Sequence, residues 1–207
     1  MSVLDVSPVI PVVVLEEAES AVQLARALVD GGVPIIEITL RTPAALEAVR
    51  AVAAEVPDIL LGVGTVVSPA DVQRAVRAGA GFLVAPGTTP TLLKATGDIG
   101  IPLLPGVSTV SEVLTALEHG ISELKFFPAQ QCGGAPFLAA LRSPLPQVRF
   151  CPTGGISAAN ALDYLALSNV GCVGGSWLTP TDAVRRRDFA RIQALAAEAA
   201  ALRRRAR

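Results

Sequence analysis

Short runs rich in Val, Ile, Leu and Phe recur along the chain, each closed by Gly, Pro or Thr and followed by an Ala-rich segment of helical period. There are eight of them, at residues 8–14, 35–40, 60–66, 82–86, 102–107, 123–128, 149–153 and 170–176. Spread over 207 residues, they leave about 26 residues per unit, close to the smallest strand-plus-helix repeat that a right-handed crossover permits. The segments between them carry helix grammar. Val22, Leu24, Ala25, Leu28 and Val29 mark one apolar face ahead of Gly31 and Gly32, a helix stop, while Ser68-Pro69, Thr42-Pro43 and Ser157 read as helix starts. Near-continuous hydrophobic strands belong to a parallel sheet covered by helices. Eight βα units predict a compact TIM (β/α)8 barrel. The alternative is an open doubly wound sheet, which needs fewer strands at this length and usually a Gly-x-Gly-x-x-Gly turn after its first strand; no such turn is present. The expected organisation is a single domain over residues 1–207, with a C-terminal helix and basic tail at about 185–207.

Period-2 alternation then assigns faces. Glu37, Thr39 and Arg41 share one side of their strand and Ile36, Ile38 and Leu40 the other. The apolar side belongs under helices, so the polar side is expected to face the barrel interior. The same count pairs Lys125 with Phe127, Val63 with Thr65, and Cys172 with Gly174 and Ser176. Functional groups of parallel barrels gather at the C-terminal ends of the strands, so these positions are expected at one mouth.

Composition narrows the class. A content of 51% hydrophobic residues supports a sizeable core, and a formal net charge of -1 gives no electrostatic footprint for nucleic acid, despite the basic Arg203-Arg204-Arg205-Ala206-Arg207. The three cysteines, Cys132, Cys151 and Cys172, form neither an even set nor a metal-binding spacing and fit buried apolar roles in a reducing compartment. No basic-then-apolar leader opens the chain and no apolar stretch is long enough to span a bilayer, so a soluble cytoplasmic protein without a membrane partner is expected.

Only two of the seventeen basic residues are lysines. Lys94 falls in a polar helical stretch ending at Gly97, a solvated position. Lys125 interrupts the apolar run Glu123-Leu124-Lys125-Phe126-Phe127-Pro128-Ala129. A strongly hydrated ammonium is costly among phenylalanines, whereas a desolvated amine loses its proton more readily and becomes a nucleophile toward ketones. The competing reading is a surface lysine on an edge strand. Glu37 is a candidate proton shuttle or one half of a structural ion pair with Arg41 or Lys125. Arg41 offers a planar fork to a carboxylate or phosphate, or a salt bridge at the mouth; Thr65 adds a hydroxyl nearby or simply ends its strand. The glycine pairs Gly154-Gly155 and Gly174-Gly175, the first after Thr153 and the second before Ser176, close the last two runs, where barrels often bind phosphate; ordinary turns are the alternative. Pro86 and Phe127 are candidate apolar walls or plain packing residues. His119, before Gly120, reads as a helix end.

Taken together, Glu37-Ile38-Thr39-Leu40-Arg41, Gly62-Val63-Gly64-Thr65, Pro105-Gly106-Val107-Ser108-Thr109, Lys125-Phe126-Phe127-Pro128-Ala129, Arg149-Phe150-Cys151-Pro152-Thr153-Gly154-Gly155-Ile156 and Gly174-Gly175-Ser176-Trp177 resemble, in order and over nearly the whole chain, the 2-keto-3-deoxy-6-phosphogluconate aldolases and 4-hydroxy-2-oxoglutarate aldolases. The resemblance implies a metal-independent, cofactor-free class I aldolase on a TIM barrel, commonly a homotrimer, that cleaves a phosphorylated 2-keto-3-deoxy sugar acid to pyruvate and glyceraldehyde 3-phosphate. It implies Lys125 as Schiff-base former and Glu37 as general acid/base. Arg41 and Thr65 would hold the pyruvate carboxylate, Gly154, Gly155, Gly175 and Ser176 the phosphate, and Pro86, Phe127 and Thr153 the pocket wall. The chain departs from the family after Ala129: Gln130 stands where many members carry glutamate. Alternatives within the same chemistry are the galactonate epimer and unphosphorylated 4-hydroxy-2-oxoglutarate. A phosphosugar isomerase, synthase or noncatalytic sensor barrel would share the glycine loops without needing Lys125.

Overall fold

A computed structural model describes residues 2–97 and 99–202. Each of the eight apolar runs contains strand, and all the pairings are parallel. The elements in order are β1 (Val9–Val13), α1 (Ala21–Asp30), β2 (Ile35–Thr39), α2 (Ala45–Glu55), β3 (Leu60–Gly64), α3 (Pro69–Arg77), β4 (Phe82–Val84), α4 (Pro90–Thr96), β5 (Leu103–Leu104), β6 (Gly106–Val107), α5 (Val110–Glu118), β7 (Glu123–Phe126), α6 (Gly134–Leu141), β8 (Arg149–Pro152), α7 (Ala161–Leu165), β9 (Val173–Gly175), α8 (Thr181–Arg185) and α9 (Phe189–Ala200). The fifth run is divided into β5 and β6 at Pro105, a residue without an N–H for the ladder. β5 pairs with β4 and β6 with β7, while Lys125 N–H donates to Pro105 O at 3.0 Å across the junction. β1 joins both β2 and β9, and single bridges at Phe150–Val170 and Thr153–Gly174 connect β8 to the last run. The ring of eight runs therefore closes on itself as a barrel, removing the exposed edges an open sheet would leave.

Alternation along the strands separates core from interior. Phe126 points outward and stacks on Phe137 of α6 with ring centroids 5.2 Å apart, and Phe150 meets Phe126 edge-on at 6.5 Å. Their neighbours Lys125 and Cys151, paired in register, therefore point inward. α9 packs on α1 so closely that a Cβ on Gly31 would come within 2.5 Å of the Ala196 Cβ. Gly31 caps α1, as the pattern predicted.

Helix starts followed the sequence where the capping chemistry is local. Ser68 accepts from Asp71 N–H with Pro69 in the first turn of α3, and Thr109 and Glu112 form a reciprocal capping box on α5. Two starts lie later than expected. Thr42 donates to Leu15 O at 2.5 Å, tying the β2 end to the β1 loop, and α2 begins only at Ala45. Ser157 opens a turn, and α7 begins at Ala161. His119 caps α5, with its Nδ1 2.9 Å from Thr115 O. Among the described residues no helix is long and apolar enough to cross a membrane. The C-terminal tail from residue 203 onward lies outside the described residues.

Candidate active site

β2 and β7 lie on different sides of the barrel, yet the side chains of Glu37 and Lys125 meet inside it. Lys125 Nζ is 3.4 Å from Glu37 Oε1, and each side chain is only 4% exposed. An exposed edge lysine is thereby excluded. Lys125 Nζ also lies 5.3 Å from the centroid of the Phe127 ring, on the shared face that alternation assigned. Room for the carboxylate comes from β3. Gly64 is paired with Thr39 in register, and a Cβ on Gly64 would overlap the Glu37 carboxylate, so the missing side chain creates the cavity that Glu37 fills.

That contact corrects the facing of β3. Gly62 and Gly64 are its inward residues, with Gly62 against the Phe82 ring, so Val63 points outward. Thr65 still reaches the mouth, because its backbone turns to φ 61, a left-handed conformation that a β-branched residue adopts only under strain. Its hydroxyl accepts from Arg41 Nε at 3.1 Å. Arg41 itself is exposed and lines the mouth cavity.

The mouth holds a cavity of about 290 Å³ lined by Arg41, Phe127, Thr153, Gly154, Gly155, Gly175 and Ser176, and also by Val12, Val14, Ile156, Gly174, Thr179 and Thr181. Seven expected site residues thus converge on one space. Lys125 and Glu37 are buried in the barrel, and Thr65 joins through Arg41. Pro86 is not part of this cavity; its carbonyl backs onto Gly106, where no Cβ would fit. Gly154 and Gly155 have φ values of 100° and 75°, so the turn they make requires glycine. Gly174 gives way to the Thr153 side chain and Gly175 to the Trp177 ring. Val12, Val14, Thr179 and Thr181 escaped the sequence reading because nothing marks a threonine or valine beside a strand end as a cavity wall.

Other candidates fall elsewhere. A larger cavity of about 590 Å³ lies around the β5 and β7 starts, beside Lys94, His119 and Glu123, away from the buried lysine and carboxylate. All three cysteines are free; Cys151 and Cys172 are buried and Cys132 is half-buried. A hydrogen bond with Cys151, reinforced by burial, pushes the Cys172 thiol well above the usual range and keeps it protonated. Among the described residues no three His, Cys, Asp or Glu side chains are grouped to hold a metal ion.

The chain thus forms a closed parallel (β/α)8 barrel that holds a buried lysine–carboxylate pair and opens at a glycine-rimmed mouth. Residues 1–195 match the family of KDPG and KHG aldolases. The chain is 52% identical over 198 residues to the KHG/KDPG aldolase of Escherichia coli strain K12, covering 96% of this chain and 93% of that protein. It is equally 52% identical over 199 residues to the 2-dehydro-3-deoxy-phosphogluconate aldolase of Dickeya dadantii, covering 96% and 93%. Among solved structures, the KDPG aldolase of Legionella pneumophila, captured with pyruvate as a covalent carbinolamine, superposes with a TM-score of 0.93 at 46% identity, covering 95% of this chain and 96% of that one. The Zymomonas mobilis enzyme with 3-phosphoglycerate gives 0.92 at 44% identity, covering 96% and 93%. The chain belongs to the KDPG and KHG aldolase family.

Proposed function

We propose that this protein is a class I aldolase that cleaves 2-keto-3-deoxy-6-phosphogluconate to pyruvate and glyceraldehyde 3-phosphate, with Lys125 as the Schiff-base lysine. The observation that carries the reading is the 3.4 Å contact between Lys125 Nζ and Glu37 Oε1 inside the barrel. Passing the lysine proton to the carboxylate leaves a neutral amine beside a carboxylic acid, a pair that speeds imine formation. Lys125 adds to the C2 ketone. Glu37 supplies the proton with which the carbinolamine hydroxyl leaves as water, and a cationic iminium remains.

Glu37, now a carboxylate again, takes the C4 hydroxyl proton directly or through a water. The C3–C4 bond then breaks, its electron pair flows into the iminium as an enamine, and the aldehyde departs. Protonation of the enamine at C3 and hydrolysis release pyruvate and restore the amine. Arg41, hydrogen-bonded to Thr65, presents its remaining N–H groups to the pyruvate carboxylate. The Gly154–Gly155 turn, Gly175 and Ser176 receive the phosphate at the other side of the cavity. Phe127 and Thr153 wall the carbon chain.

The covalent pyruvate adduct and the bound phosphoglycerate of the two solved relatives support both ends of this pose. We further propose a cytoplasmic homotrimer, a location in keeping with three free cysteines. The test is the rate of pyruvate release from 2-keto-3-deoxy-6-phosphogluconate, its galactonate epimer and 4-hydroxy-2-oxoglutarate. A clear preference for the first is expected; release from none of the three overturns the reading.

A further inference from the structure

The Gly154–Gly155 turn faces the mouth cavity on one side, and on the other it rests against the loop after β7 and the turn leading to α7. Its successive carbonyls are all tied on this second side. Ala129 N–H donates to Thr153 O at 2.8 Å and Gln130 N–H to Gly154 O at 3.1 Å. Asn160 Nδ2 donates to Gly155 O at 3.0 Å. A trans peptide unit is planar, with its N–H opposed to its C=O. Holding these carbonyls therefore sets the directions of the N–H groups of Gly154, Gly155 and Ile156, away from the tethers.

The first two tethers are main-chain donors that most residues supply. The third depends on one side chain. Asn160 is itself fixed from both ends, since its Oδ1 accepts from Ser157 N–H at 2.8 Å while its Nδ2 serves Gly155. Ser157 N–H can only donate and Gly155 O can only accept, so the amide has one orientation. Gln130 braces the same turn from below: a Cβ on Gly155 would come within 2.6 Å of the Gln130 Cβ, and Gln130 Oε1 accepts from Tyr164 OH at 2.9 Å. A run of N–H groups binds an anion only when the groups converge.

We infer that Asn160 is a positioning residue for the phosphate end of the substrate, holding the Gly155–Ile156 peptide so that its N–H points into the mouth. This inference rests on the phosphate-binding role proposed above for the turn. Asn160→Asp is the sharpest test, because it keeps size and the acceptor for Ser157 while removing the donor to Gly155; Asn160→Ala removes both. Each would be assayed in the condensation direction, pyruvate with D-glyceraldehyde 3-phosphate against D-glyceraldehyde, with circular dichroism to establish folding.

The ratio of kcat/KM for the phosphorylated over the unphosphorylated aldehyde should fall about tenfold, the size of one oriented hydrogen bond to an anion. The pyruvate concentration that half-saturates borohydride trapping should stay the same. A ratio unchanged in the folded Asp variant, or variants that lose both aldehydes in parallel or fail to fold, would reduce Asn160 to a structural residue and overturn the inference. Wild-type protein with no preference for the phosphorylated aldehyde would instead contradict the phosphate reading itself.

Discussion

Lys125 Nζ and Glu37 Oε1 stand 3.4 Å apart in the barrel interior, each on a side chain with only 4% of its surface exposed. Two opposite charges removed from water stabilise a fold weakly at best, since desolvation consumes most of their attraction. Their placement is better explained by the chemistry that a closely held amine and acid perform together.

Lys125→Ala is expected to abolish cleavage of 2-keto-3-deoxy-6-phosphogluconate. Glu37→Gln, which keeps the shape and loses the proton carrier, should still form a trappable pyruvate imine while turnover falls about 10²- to 10⁴-fold, the range of general acid–base catalysis. Pyruvate release and borohydride trapping, read side by side, separate the two roles.

Gly64→Ala places a methyl group where the Glu37 carboxylate lies. The carboxylate must leave its present position beside Lys125, and a displacement of about 1 Å commonly costs about 100-fold in rate. The expected outcome is a folded protein with kcat reduced to that extent. Full activity in Gly64→Ala would show that the present position of Glu37 is not the working one.

Arg41→Lys keeps the positive charge but loses the planar fork and its hold on Thr65. The pyruvate concentration needed for half-maximal imine trapping should rise about tenfold, consistent with the loss of a charge-assisted hydrogen bond. Unchanged pyruvate affinity would remove Arg41 from the carboxylate site.

Glu112 ties the pH dependence of stability to the start of α5. Burial pushes its carboxyl up, but donation from the Ser108 and Thr109 N–H groups and hydroxyls outweighs it, and the net position is below the ordinary value of 4.5. A carboxylate lowered on folding contributes stability above its unfolded value and loses that contribution as pH falls through the folded one. Glu112→Ala should therefore lower stability to urea at pH 7, and the gap to wild type should shrink as pH falls below the ordinary value of 4.5 and through the lowered one of the folded carboxyl.

The barrel was legible because its signals are local and repeated: apolar runs alternate with helical segments, and Lys125 stands out by its chemistry between Leu124 and Phe126. Glu37 followed from period-2 counting along β2. The same counting failed on β3, where it turned Val63 inward. Glycine has no side chain to reveal its face, and only the contacts of Gly62 with the Phe82 ring and of Gly64 with Glu37 show that both point in. The left-handed turn at Thr65 is invisible in sequence too, because a β-branched residue is the kind least expected at a positive φ. Pro105 dividing the fifth strand was readable in principle, since proline lacks the ladder donor. Nothing in the sequence marks Asn160, and its tie to Gly155 needs the folded turn to be seen.

Covalent bonding of the Lys125 amine to a keto acid is the step on which the proposed cleavage depends. The direct measurement is sodium borohydride reduction in the presence of pyruvate, followed by digestion and mass mapping. A single added reduced-pyruvate mass is expected on the peptide containing Lys125, absent without pyruvate and absent in Lys125→Ala. An unmodified Lys125 peptide, or the same mass gained at Lys94 instead, would contradict it.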